Sequence, residues 1–164
     1  EESDMRILVD ADACPVRRLI VEAAKARGIP VVLVADHSHR LEDGYSQVIL
    51  VDQGRESADL KLVNLLRPGD LVVTQDYGVA AVALGKGARA LHQSGEEYTG
   101  QNMDLLLFQR FLGQKIRRAG GRAGRLHKRT PQEDRAFIQT LEKILAQMQP
   151  APGETCPQPG EKMV

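Results

Sequence analysis

Three short apolar runs constrain this 164-residue chain more than any other feature: Arg6 to Asp10, Val31 to Ala35 and Leu71 to Thr74. Continuous runs of this length read as strands buried on both faces of a sheet. Stretches with helical spacing separate them. Val16, Leu19, Ile20, Ala23 and Ala24 share one face of a first helix, with Pro15 in its opening turn and Gly28 at its end. A polar loop from Asp36 to Gly44 leads to a strand at Gln47 to Val51. Ala58, Leu62, Leu65 and Leu66 mark a second helix, and Pro68-Gly69-Asp70 a turn. Val79 to Lys86 reads as a small apolar helix, and Arg89 to Leu91 as a fifth strand. Asn102 is placed to cap a long helix running to about Arg118. Thr130-Pro131-Gln132-Glu133 is a capping box opening a last helix to about Met148.

Strands alternating with helices imply right-handed βαβ units. The expected fold is therefore α/β: a three-layer sandwich around a mainly parallel sheet of about five strands. It occupies residues 5–148 as one domain. The segment 149–164, with four prolines and two glycines, is expected to be a disordered tail. No run of about 18 apolar residues suggests a membrane span. The acidic start lacks the basic and apolar character of an export signal, so the expected compartment is the cytoplasm. Cys14 and Cys156 fit that compartment as unpaired thiols.

The zero net charge hides a split. Residues 1–104 carry 11 Lys/Arg against 17 Asp/Glu, whereas 105–130 carry 8 basic residues and no acidic one. Such a division suggests an anionic partner drawn towards a carboxylate site. Ligands of parallel sheets bind outside the carboxyl ends of the strands, and acidic residues gather there. Asp10 ends the first strand and Asp12 follows it; Asp76 follows the fourth strand; Asp59 opens the helix before that strand. Each could simply serve a helix start, where Asp accepts free N–H groups, and for Asp104 that reading is at least as good as any other. Together, carboxylates at one end of a sheet repel, and need a cation or a shifted protonation state. Hard oxygen ligands suit Mg²⁺ or Mn²⁺. Such an ion can hold a phosphodiester and activate water.

The segments D-A-D-A-C-P at 10–15, Asp59 with its helix, T-Q-D-Y-G-V-A at 74–80, and Gly95 through Asn102 to Leu106 resemble the bacterial YaiI/YqxD-type family. That uncharacterised family is grouped with PIN-like domains, many of which are metal-dependent nucleases acting on RNA. The resemblance covers roughly residues 5–145. By position it implies that Asp10, Asp59 and Asp76 are the catalytic acids, with Asp12 as a further metal ligand.

Thr74, Gln75 and Asn102 are candidate substrate contacts. Arg110, Lys115, Arg117, Arg118, Arg122, Arg125, Lys128 and Arg129 form an arm suited to phosphates, ordered by nucleic acid or by a second copy of the chain, which leaves a homo-oligomer open. The same arm can equally be a solvated surface loop. With no Trp and only three Phe and three Tyr, base stacking is not expected to dominate. Cys14 reads as a small hydrophobe or cap, and His37 and His39 as loop residues near the crevice. Tyr98 and Thr99 precede a helix start.

Two further readings stand beside the nuclease. The Asp10–Asp12 pair matches a haloacid-dehalogenase-like phosphatase, with Asp10 as nucleophile and Lys61 or Lys86 as the required cation. Alternatively, the domain binds RNA or a protein without catalysis.

Overall fold

Strand β1 (Ile7–Asp10) lies in the middle of the sheet, with β2 (Val31–Ala35) on one side and β4 (Leu71–Val73) on the other, both parallel to it. Strand β3 (Gln47–Leu50) extends the sheet beyond β2, and β5 (Arg89–Leu91) beyond β4. A two-residue strand β6 (Glu97–Tyr98) closes that edge antiparallel to β5. The order is β3-β2-β1-β4-β5-β6. The chain thus steps outward from β1 to β3 and then returns to the opposite side of β1. The reversal falls between β1 and β4, where helices leave in opposite directions and a crevice opens at the carboxyl ends. The structure, a computed structural model, describes residues 5–12, 14–36, 41–52, 57–104, 109, 112–113 and 128–148.

Side-chain alternation along the strands sorts the core into two layers. Ile7, Val9, Val31, Leu33 and Val73 face helix α1 (Arg17–Arg27) and helix α4 (Pro131–Met148), which contributes Phe137, Leu141, Ile144 and Leu145. Leu8, Val32, Val34, Val72 and Ala90 face helix α2 (Ala58–Leu65) and helix α3 (Tyr77–Gly85). Three layers result, as the sequence predicts. Among the described residues, no helix is long and apolar enough to cross a membrane.

Local chemistry sets the helix ends. Gly28 ends α1 at φ 69°, a left-handed conformation suited to glycine. Ser57 caps α2 by accepting the Leu60 N–H. The Thr130–Glu133 box is made in both directions: Thr130 N–H donates to Glu133 Oε1 at 2.9 Å, and Glu133 N–H to Thr130 Oγ1 at 3.3 Å. At the amino ends of the strands, the nearly inaccessible Asp70 accepts from Arg6 Nη2 at 2.8 Å and from the Arg67 N–H at 2.9 Å. This buried pair ties β1 to the turn before β4.

Three expectations change. The sheet has six strands, because Glu97 and Tyr98 form β6; two residues are too short to show an alternating pattern. Arg89 holds Glu97 across that edge at 2.7 and 2.9 Å. Helix α3 starts at Tyr77, two residues earlier than Val79. The helical turn at 100–104 is capped by Thr99, whose Oγ1 accepts the Asn102 N–H, while Asn102 Oδ1 accepts the Thr99 N–H. Asn102 is therefore the inner partner of a capping box. Residues 105–108 and most of 110–127 lie outside the described residues, as do 149–164, so most of the long helix expected from Asn102 to about Arg118, and the tail, fall there.

The β5–β6 turn is locked to α4 through Gly95, which has φ 95°. A Cβ at this position would lie 2.9 Å from the Ala136 carbonyl carbon and oxygen. Both the conformation and the contact demand glycine. Gly95→Ala is expected to cost at least about 2 kcal/mol, read as a lowered midpoint in urea unfolding.

Candidate active site

The reversal point holds a cavity of about 330 Å³, lined by Asp10, Asp12, Cys14, Asp59, Val73, Thr74, Gln75, Asp76 and Gln93. Four different segments deliver these residues. Asp10 is the last residue of β1 and shares the face of Leu8, so its side chain points to the α2–α3 layer. Asp59 lies in the first turn of α2 and Asp76 is the N-cap of α3, on that same layer. Thr74 and Gln75 follow β4, and Gln93 follows β5. The lining contains four carboxylates and, among the described residues, no cationic side chain.

Several of these groups are held by specific hydrogen bonds. Asp76 Oδ1 accepts the Val79 N–H at 3.0 Å, so the ordinary capping role of an Asp at a helix start is realised. The Asp76 N–H in turn donates to Thr74 Oγ1 at 2.9 Å. A Cβ at Gly78 would press on Asp76 Oδ1 at 3.1 Å, so the small residue two positions on leaves the carboxylate its room. Asp12 Oδ2 accepts the Asp36 N–H at 2.8 Å, tying the loop after β1 to the end of β2. In the same lining, Gln75 Nε2 donates to Gln93 Oε1 at 2.7 Å. Behind it, Arg129 Nη2 donates to the Gln93 carbonyl at 2.9 Å and Arg129 Nε to Asp134 Oδ1 at 2.5 Å.

Electrostatics mark this cluster as unusual. Burial, followed by the charges of Asp59, Asp12 and Asp76, pushes the Asp10 carboxyl up to about 6; an N–H bond from Asp12 opposes the rise. Burial also raises Asp59, and the adjacent Asp76 raises it further through its charge and a hydrogen bond between the two carboxyl groups. Burial raises the Cys14 thiol, which keeps it in the neutral form of a small hydrophobe. Among the described residues, no three carboxylate, imidazole or thiol groups are already gathered closely enough to ligate one ion.

The four aspartates expected from the sequence thus share one cavity, with Thr74 and Gln75 beside them. Asn102 does not line it; its side chain joins the Thr99 N–H to the Glu97 carbonyl. Asp104 is exposed and stands apart from the cavity lining. Of the basic arm, only Lys128, exposed, and Arg129, half-buried, are described; Arg110, Lys115, Arg117, Arg118, Arg122 and Arg125 lie outside the described residues, as do His37 and His39. Gln93 was not anticipated. The signal that finds it is the rule that found the aspartates, since it too follows the carboxyl end of a strand.

Comparison with known proteins agrees on kinship. Residues 8–147 match the family described as uncharacterised YaiI/YqxD. A "UPF0178 protein" of Ruminiclostridium cellulolyticum is 59% identical over 137 residues, covering 84% of this chain and 90% of the relative. Namesakes in Alkaliphilus oremlandii and Clostridium tetani are 50% and 44% identical, each over 84% of this chain and over 88% and 94% of their own length. No solved structure matches significantly.

The raised Asp10 gives a stability signature. Its ordinary value is near 3.8 and its folded value about 6. The folded chain therefore binds the proton more tightly than the unfolded chain. The stability this supplies is present below about pH 4 and is lost as pH rises to about 6. Asp10→Asn is expected to stabilise the protein above pH 6, by about 1 kcal/mol once solvent screening is allowed for, and to do little at pH 4. Urea unfolding at pH 4 and pH 7.5 checks it.

Proposed function

The chain belongs to the uncharacterised YaiI/YqxD family, and we propose that it is a divalent-metal-dependent phosphodiesterase of the nuclease type, acting on RNA in the cytoplasm. One observation carries this reading: Asp10, Asp59 and Asp76 converge from three segments on one crevice, where two of them are pushed towards protonation. Carboxylates so placed favour either protons or a multivalent cation.

The donor set fits Mg²⁺ or Mn²⁺, both of which prefer carboxylate oxygens and retain water ligands. Asp10, Asp12, Asp59 and Asp76, which line the cavity, would hold the ion. Among the described residues no three such groups are gathered around one point, so binding would require these side chains to move together. When bound, such an ion polarises a phosphoryl oxygen and offsets the charge that develops on it.

The chain's own groups do the remainder. The caps at Thr74 and Val79 keep the Asp76 carboxylate turned into the crevice. Without metal, burial and the neighbouring carboxylates raise the Asp10 carboxyl to about 6, and a bound dication would relieve that repulsion. The Gln75–Gln93 amides line the same cavity as the acids and suit contacts to a sugar-phosphate chain. Lys128 and Arg129 lie where the basic segment meets this rim, and the rest of that segment would hold phosphates further along.

The phosphatase alternative lacks its lysine among the described residues. Lys86 donates to the Val63 carbonyl at 2.6 Å and reaches Leu66 O, which occupies it at the end of α2, and Lys61 does not line the cavity.

Two measurements test the proposal. Millimolar Mn²⁺ is expected to raise the melting temperature of the wild type by several degrees and to leave Asp76→Asn nearly unmoved. Cleavage of single-stranded RNA with Mn²⁺ is expected to fall at least about 100-fold in Asp76→Asn. A wild type whose melting temperature ignores Mn²⁺ would refute the metal site. Stabilisation without cleavage would leave a binding module and end the nuclease reading.

A further inference from the structure

Thr74 is held from three directions. Its N–H donates to the Leu91 carbonyl at 3.1 Å, its Oγ1 accepts the Asp76 N–H at 2.9 Å, and its carbonyl accepts the Tyr98 hydroxyl at 3.2 Å. The first bond belongs to the sheet, and the second sets the backbone at Asp76. The third comes from β6, the strand that sequence patterning misses. Tyr98 is only 5% exposed. Its ring packs in the α2–α3 layer, with the His92 ring edge-on at 6.1 Å between centroids. A buried phenol hydroxyl requires a partner. In a chain where only three tyrosines occur, a phenylalanine would fill the same space without that demand.

We infer that Tyr98 is a positioning residue for the acidic site, acting through Thr74 to fix where Asp76 stands relative to Asp59. The inference rests on the proposed metal site and specifies which residue outside the cavity tunes it. The path is short and continuous. The Tyr98 hydroxyl fixes the orientation of the peptide joining Thr74 to Gln75. That peptide leads directly into Asp76, whose N–H returns to Thr74 Oγ1 and whose Oδ1 is committed to the Val79 N–H. With those atoms committed, the remaining freedom of the carboxylate is mainly its approach to Asp59. The Asp76 charge in turn reaches the phenol: burial first, and then Asp76, push the hydroxyl of Tyr98 up to about 12. Tyr98 therefore stays a neutral donor at every physiological pH.

The test compares wild type, Tyr98→Phe and Thr74→Val by Mn²⁺ titration followed through thermal unfolding, and by urea unfolding without metal. Tyr98→Phe keeps the ring and removes one hydroxyl; Thr74→Val removes the acceptor of the Asp76 N–H and keeps the volume. Both are expected to bind Mn²⁺ about tenfold more weakly, the size of effect typical of residues that orient metal ligands. The urea midpoint without metal is expected to change little in Tyr98→Phe. Lowered metal-free stability with Mn²⁺ affinity at the wild-type value would make Tyr98 a packing residue and overturn the inference. If the wild type itself does not respond to Mn²⁺, the metal site fails and this inference fails with it. A responsive wild type beside an equally responsive Tyr98→Phe sinks the positioning role alone.

Discussion

The parallel pairing of β1 with β4 is the constraint on which the rest of the molecule depends. It joins the two halves of the chain, places the reversal of strand order in the middle of the sheet, and brings the ends of two strands side by side. Ile7, Leu8 and Val9 pair with Leu71, Val72 and Val73, all of them inaccessible or nearly so. Sequence separation makes this pairing costly in chain entropy. Apolar burial on both faces and the Arg6–Asp70 pair at the amino end offset that cost. One end of the paired strands is thus closed by a matched charge pair, and at the other the described lining carries carboxylates and no cationic side chain.

That asymmetry separates stability from function along one axis. Asp70 is satisfied by Arg6 and by the Arg67 N–H. Among the described residues, the charges that act on Asp10 are those of Asp59, Asp12 and Asp76, all of its own sign. A fold under selection for stability alone would neutralise the second end as it does the first. Proteins commonly keep such repulsion where a ligand is to be bound. Asp59 shows the same tension: it sits in the first turn of α2, and the charge of Asp76 at the start of α3 pushes its carboxyl up.

Much of this was legible in the sequence. The strands announce themselves through continuous apolar runs, and the Thr130–Glu133 box marks its helix without ambiguity. The acids could be placed because their position relative to strand ends follows directly from the runs. What was not legible has a common cause. Strand β6 is too short for any period to register, and the capping role of Thr99 was hidden by the nearby Asn102. Gln93 and Tyr98 matter through partners across the sheet, Gln75 and Thr74, which no local pattern reveals. The family resemblance stands confirmed by the match over residues 8–147, but kinship to uncharacterised relatives carries no chemistry of its own.

The place of α4 in the chain has a consequence for biogenesis. Phe137, Leu141, Ile144 and Leu145 cover the same face of the sheet as α1, yet among the described core residues they come last in the chain. The six described strands precede that cover, so the part of this face that α1 leaves uncovered stays open until about residue 145 has cleared the exit tunnel. Chain termination before α4 would therefore release a protein with a greasy, adhesive flank.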